Sequence, residues 1–249
     1  MAALSVARLG LVDYAAALEV QNAAVAARMR DEIGDTLLLL EHPHVYTLGR
    51  GADASYIIDA VPDVPIYRVS RGGQVTYHGP GQLIGYPIVK LTGARRDVSR
   101  YLRRLEQSLI DGLGEFGIAA GRRAGMTGVW AGPCKIGSIG VGIRRWVTLH
   151  GFALNVTTDL GYFDAIVPCG IEGCRMTSIA ALGNSQVTVA DFADAIERSF
   201  AKAFEYDQIV WMRPEGMKEQ VLGPSIASAN QDRMRFSQGA ARIFNKWEV

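Results

Sequence analysis

Between Arg71 and Gln82 the chain reads RGGQVTYHGPGQ, five glycines or prolines among twelve residues, flanked by two runs that read as strands, Ile66 to Val69 and Leu83 to Val89. An ordinary turn does not need so many. Glycine lets a backbone approach a ligand and turn its N–H groups toward an oxygen, while Arg71 and His78 add a fixed cation and a titratable donor. The loop is therefore either a binding element or a long β-connection around a buried histidine, and it demands a fold with a sheet behind it.

The rest of the chain supplies one. Asp13 to Arg30 is rich in Ala, Leu and Glu, with Tyr14, Leu18, Val25 and Met29 near helical spacing, and Gly34 closes that helix. Leu37 to Leu40 reads as a buried strand running into an exposed loop, EHPHVYTLGRG. Asp97 can cap a helix whose Leu102, Leu105, Leu109 and Leu113 form one apolar face, with Arg100, Arg103 and Arg104 elsewhere. From Gly128 to Val156 short β-prone runs predict an antiparallel meander with a hairpin at Arg144-Arg145. Thr188 and Asp191 cap a last helix to Glu205, with Phe192, Ile196, Phe200 and Phe204 on one side. No repeat or linker divides residues 1–205. Beyond Tyr206 periodicity fades, and the polar stretch from Gly223 to Gly239 predicts a loosely held tail, so residues 206–249 form an extension of unassigned structure.

Bulk properties exclude several classes. The 249 residues carry a net charge of +1, which gives no overall pull toward nucleic acid or anionic lipid. No apolar run approaches the roughly 20 residues of a membrane span. The opening residues lack the marks of a signal or transit peptide, so a cytoplasmic location is expected. Three cysteines without such a signal predict reduced thiols.

Two further stretches bear chemistry. In IVPCGIEGCRMTS, from Ile166, Cys169 stands between Pro168 and Gly170, where a turn would expose its sulfur at a strand end. In CKIGSIGVG, Lys135 heads an apolar, glycine-dotted strand from Cys134. An ammonium beside a thiol favours the thiolate, and a partly desolvated lysine gives up its proton more readily, so such a pair can pass a proton near neutrality. The alternatives are a buried cysteine filler, the reading given to Cys134 and Cys174, and a lysine that snorkels from a strand end.

Together with HGFALNV from His150, these stretches closely resemble the lipoyl(octanoyl) transferase family. The resemblance runs from about Leu9 to Phe204 and includes RLGLVDYAAALEVQ, EHPHVYTLGR, the RGG…TYHGPGQ signature, KIGSIGV and the PCG turn. It implies one α/β (α+β) domain of the biotin and lipoate protein ligase type, spanning residues 1–205, with a central mixed, largely antiparallel sheet, helices on one side and a smaller sheet. It implies octanoyl transfer from octanoyl-acyl carrier protein to a lysine of lipoyl domains, those of 2-oxoacid dehydrogenase E2 subunits and glycine cleavage H protein, with no cofactor. By the same resemblance Cys169 is the acyl-thioester nucleophile and Lys135 its activator and acid–base group. Substrate contacts fall on Arg71, Gly72, Gly73, Gln74, Val75, Thr76, Tyr77 and His78, on Ser138, Ile139 and Gly140, and on Gly151, Phe152 and Ala153. Two departures stand out: Gly137 occupies a position where relatives commonly carry alanine, which would loosen the pocket, and the tail has no family counterpart.

Competing readings are an ATP-dependent lipoate or biotin protein ligase, which would not need Cys169 and usually carries a longer glycine run than Gly72-Gly73; a zinc-stabilised module using Cys134, Cys169, Cys174 and His150; and a thiol hydrolase. The arginines of the second helix, Arg100, Arg103 and Arg104, with Arg95 and Arg96, form either a docking patch for an acidic carrier or a solvated face.

Overall fold

A computed structural model describes residues 2–59 and 61–222. In chain order the elements are β1 (Ala3–Leu11), α1 (Tyr14–Met29), β2 (Thr36–Glu41), β3 (Val45–Leu48), β4 (Ile66–Arg68), β5 (Val75–His78), β6 (Gln82–Ile88), α2 (Val98–Gly114), β7 (Gly121–Arg123), β8 (Met126–Ala131), β9 (Cys134–Arg144), β10 (Val147–Asn155), α3 (Val189–Phe204), β11 (Gln208–Met212) and α4 (Pro214–Leu222). The large sheet has the order β11-β1-β2-β6-β10-β9-β8-β7, and the small one β4-β3-β5. In the large sheet β11, β1 and β2 run parallel, and every pairing from β2 to β7 is antiparallel. The sheet is thus mixed and largely antiparallel, as expected, and β1 and β11 extend it beyond the elements read from sequence.

Its two faces explain the apolar run in β2. A strand covered on both sides has no polar alternation. Leu37 and Leu39 join Leu4, Val6, Leu105, Phe192 and Phe200 beneath α2 and α3. Leu38 and Leu40 join Val20, Ala24, Ile84 and Ala153 beneath α1, with Met217 of α4. Helices therefore cover both faces of the large sheet, a correction to the one-sided arrangement. α1 buries Tyr14, Ala17, Val20, Gln21, Ala24, Val25 and Ala27; the alanines among them let the helix lie close to the sheet, while Leu18 stays half-buried at its edge.

Asp97 and Thr188 cap α2 and α3 as expected, the latter in a full capping box with Asp191. The β9–β10 hairpin turns through Arg145 and Trp146, both at positive φ, between the paired Arg144 and Val147. The stretch read as an exposed loop after Leu40 departs from expectation. Val45–Leu48 is a fully buried strand, and His42 is also buried, its Nδ1 bonded to the Val12 carbonyl at 2.7 Å and its Nε2 to the Tyr86 hydroxyl at 2.8 Å. Four residues are too few to show a period, and their burial comes from β4, β5 and the Phe163–Ile166 segment above them.

The ladder continues past residue 205: β11 pairs with β1 and α4 packs on α1, whereas the Gly223 to Gly239 stretch lies outside the described residues. Among the described residues no helix is long and apolar enough to cross a membrane.

Candidate active site

The two sheets enclose a cavity of about 400 Å³, within the usual range of small-ligand sites, about 300–1,000 Å³. Its walls come from β5 and the loop before it, from the middle of β9 and β10, from Ile84 and Tyr86 of β6, and from Tyr14 of α1. Cys169 and Lys135 stand together on one wall.

Cys169 sits in a 3₁₀ turn, Pro168–Gly170, with φ 58° and ψ 14°, the left-handed region. A residue with a Cβ pays about 1–2 kcal/mol for that conformation, and such strain gathers where surrounding structure enforces a functional geometry. Here Pro168 is buried, Gly170 N–H donates to Val167 at 3.0 Å, and Val167 N–H donates to Tyr56 at 2.8 Å. Gly170 also has positive φ, and a Cβ there would stand 2.8 Å from Gln74 Cγ and 3.0 Å from Tyr56. Glycine is what lets the cysteine turn meet the Gly-rich loop. The sulfur is half-buried on the cavity wall, and the turn follows another 3₁₀ turn, Leu160–Ala165, instead of ending a strand.

Lys135 is 2% exposed, and its Nζ donates to Cys169 Sγ at 3.1 Å. Its backbone is clamped on both sides: its N–H donates to Arg175 at 2.8 Å and its carbonyl accepts from Thr177 at 2.9 Å. Room for the butylammonium chain comes from Gly128, at φ +125°, where a Cβ would lie 2.7 Å from Lys135 Cε and 2.6 Å from the Gly137 carbonyl. Ser138 Oγ lies 3.9 Å from the sulfur. The buried lysine is therefore held at a thiol instead of snorkelling to water. Cys174 is distinct: burial pushes its thiol up, opposed by Lys135 and Arg123.

The remaining expected residues divide. Arg71, Gly73, Gln74, Val75, Thr76 and His78 line the cavity, as do Ser138, Ile139, Gly140, Gly151, Phe152 and Ala153. Gly72 and Tyr77 do not. Gly72 N–H is bonded to the Val141 carbonyl at 2.9 Å. Strand alternation turns Tyr77 to the far side of β5 from Thr76 and His78, where its hydroxyl meets His44 Nδ1 at 2.7 Å and its ring stacks on Tyr162. Gly137 is also off the cavity: a Cβ there would meet Val129, Leu109 and Leu154 in the core beneath α2, so the missing methyl leaves the pocket unaltered.

Arg71 and His78 belong to a chain of hydrogen bonds joining the two sheets. Arg71 donates to the Thr47 hydroxyl at 2.8 Å and carbonyl at 2.6 Å; the Thr47 hydroxyl meets His78 Nε2 at 3.3 Å; His78 Nδ1 donates to Gln82 at 2.8 Å; and Gln82 donates to Asn155 at 2.9 Å. Burial, with His42, Arg71 and His150 nearby, lowers His78 to about 3. It is a neutral structural donor near neutrality, not the titratable group its sequence context suggested. His150, at positive φ within β10, is likewise lowered to about 3 by burial and by Arg71, with Nε2 3.0 Å from Ser70 Oγ. Sequence reading missed Tyr14, Ile84, Tyr86 and Met126 as cavity residues, because each looks like ordinary core in its own element.

Cys134, Cys169, Cys174 and His150 do not gather into a metal-holding group among the described residues. The arginine face is less basic than it reads. Arg95 and Arg104 both pair with Glu205, Arg103 pairs with the fully buried Glu106, and Arg96 lies over Trp146.

Comparison with known proteins agrees with this geometry. Residues 13–201 match the lipoyl protein ligase A/B catalytic domain. An octanoyltransferase of Solibacter usitatus is 49% identical over 207 residues, covering 81% of this chain and 93% of that protein. One from Geobacter metallireducens is 48% identical over 198 residues, covering 80% and 90%. Among solved structures, the bi-partite lipoate protein ligase of Thermoplasma acidophilum superposes with a TM-score of 0.67 at 16% identity, covering 94% of this chain and 93% of that one, which shows a shared fold. With the domain matched across the whole site and nearly half of the aligned residues shared with such relatives, the chain belongs to the octanoyltransferase family.

Proposed function

We propose that this protein transfers an octanoyl group from octanoyl-acyl carrier protein to a lysine amine of a lipoyl domain, through a thioester on Cys169. The observation that carries the reading is the 3.1 Å contact between a buried Lys135 ammonium and Cys169 Sγ on the wall of a largely apolar cavity.

The chemistry takes two steps. The Cys169 thiolate attacks the carbonyl carbon of the carrier thioester; the bond to the phosphopantetheine sulfur breaks, and Lys135 gives that sulfur its proton. Octanoyl-Cys169 remains, its chain lying over the sheet face that carries Ile84 and Ala153. The acceptor lysine then attacks the same carbonyl carbon, neutral Lys135 takes the proton the amine loses, and the C–S bond to Cys169 breaks to restore the thiolate. Backbone N–H groups of the Gly-rich loop steady the oxyanion in each step. An amide replaces a thioester, so the transfer runs downhill without ATP.

Intact-mass spectrometry after incubation with octanoyl-acyl carrier protein tests this directly. One octanoyl adduct is expected on Cys169, absent in Cys169→Ser, and it should pass to a lipoyl domain without ATP. No adduct on wild-type protein would overturn the thioester. A strict ATP requirement would point to the ligase chemistry, and release of free octanoate without amide would point to a hydrolase.

A further inference from the structure

Lys135 poses an electrostatic problem. Among the described residues its ammonium hydrogen-bonds only Cys169 Sγ and makes no ion pair with a carboxylate, yet it is 2% exposed. A charge taken out of water needs compensation that one thiol does not supply while that sulfur carries a proton. The nearest further source is an aromatic face: Nζ stands 5.6 Å from the Trp130 ring centroid, within the roughly 6 Å reach of a cation–π contact.

We propose that Trp130 is a positioning residue for Lys135, its indole face holding the buried ammonium at Cys169. This rests on the acyl-transfer reading above. Three observations support it independently of the distance. The Trp130 Nε1–H is buried and has no hydrogen-bond partner among the described residues, so the ring is not placed for the sake of its N–H. Trp130 and Lys135 are direct cross-strand partners in the β8–β9 ladder, immediately after a register shift between Val129 and Trp130; such bulges re-aim side chains beside functional sites. The same ring carries a second cation, the Arg123 guanidinium at 4.6 Å, on the solvent-exposed side chain of β7. A ring that gathers two cations and leaves its own donor unsatisfied is serving as an electrostatic surface.

Trp130→Leu keeps apolar volume and removes the π face; Trp130→Phe keeps a face. The rate of iodoacetamide alkylation at Cys169, resolved by peptide mass spectrometry at neutral pH, reads the state of the pair. Trp130→Leu should slow alkylation and single-turnover acylation about tenfold, the scale of a desolvated cation–π contact. Trp130→Phe should recover most of that rate, and Trp130→Leu added to Lys135→Ala should cause no further loss. Wild-type alkylation by folded Trp130→Leu, or a full additional loss in the Lys135→Ala background, would overturn the proposal. Should Trp130→Leu fail to fold, a Trp130→Phe rate as low as that of Lys135→Ala would overturn it equally. If Lys135→Ala alone leaves alkylation unchanged, it is the role of Lys135 itself that fails.

Discussion

At the residue scale, the site depends on side chains that are missing as much as on those present. Gly128 leaves the space into which Lys135 reaches, at a φ that L-residues rarely adopt. Gly128→Ala would press its methyl to 2.7 Å from Lys135 Cε and to 2.6 Å from a backbone oxygen that cannot move cheaply. We expect a loss of about 1–3 kcal/mol of stability from the strained backbone, together with slower acylation of Cys169. Urea midpoints and single-turnover acylation, measured side by side, check both, and a variant that acylates at the wild-type rate would show that Lys135 does not need this space. The glycine was visible in sequence, but its role was not. Nothing in the string GVWAG says that the ε-carbon of a lysine seven residues later occupies the place of its Cβ.

At the element scale, caps and amphipathic faces were legible because they are local. Thr188 and Asp191 satisfy each other's N–H groups three residues apart, and α3 buries Phe192, Ile196, Phe200 and Phe204 against the sheet face opposite the cavity. Thr188→Ala should therefore cost about 1 kcal/mol, lowering the urea midpoint while leaving octanoyl transfer by the folded enzyme unchanged; a loss of transfer without a loss of stability would tie α3 to the site. Short strands were not legible in the same way. Val45–Leu48 looks like loop, and β1 and β11 show no decisive alternation, because their burial is decided by partners far away in the chain: Val45 pairs with His78, and Ala3 with Gln208.

At the scale of the whole molecule, the two sheets are joined through buried polar groups, and the imidazoles among the buried residues stay neutral. Burial lowers His42 to about 4, and His78 and His150 to about 3. Between the ordinary imidazole value, about 6.5, and these folded values, the unfolded chain binds more protons than the folded one, so stability rises with pH there and is lost as pH falls. Each histidine contributes up to about 1.4 kcal/mol per pH unit within its window. Urea midpoints should fall steadily from neutrality toward pH of about 4.5, above the range in which most carboxylates titrate; a flat profile would mean that these imidazoles become charged without unfolding. The sequence by itself determined the chemistry-bearing residues and the locally encoded helices, because caps, periodicity and motif spacing act within a few residues. Only the tertiary structure decided which of those residues share a cavity. Strand alternation turned Tyr77 away and register brought Trp130 beside Lys135, while a strained turn set Cys169 against a lysine 34 positions earlier. Those contacts depend on how separate strands are aligned in space, and linear spacing does not carry that alignment.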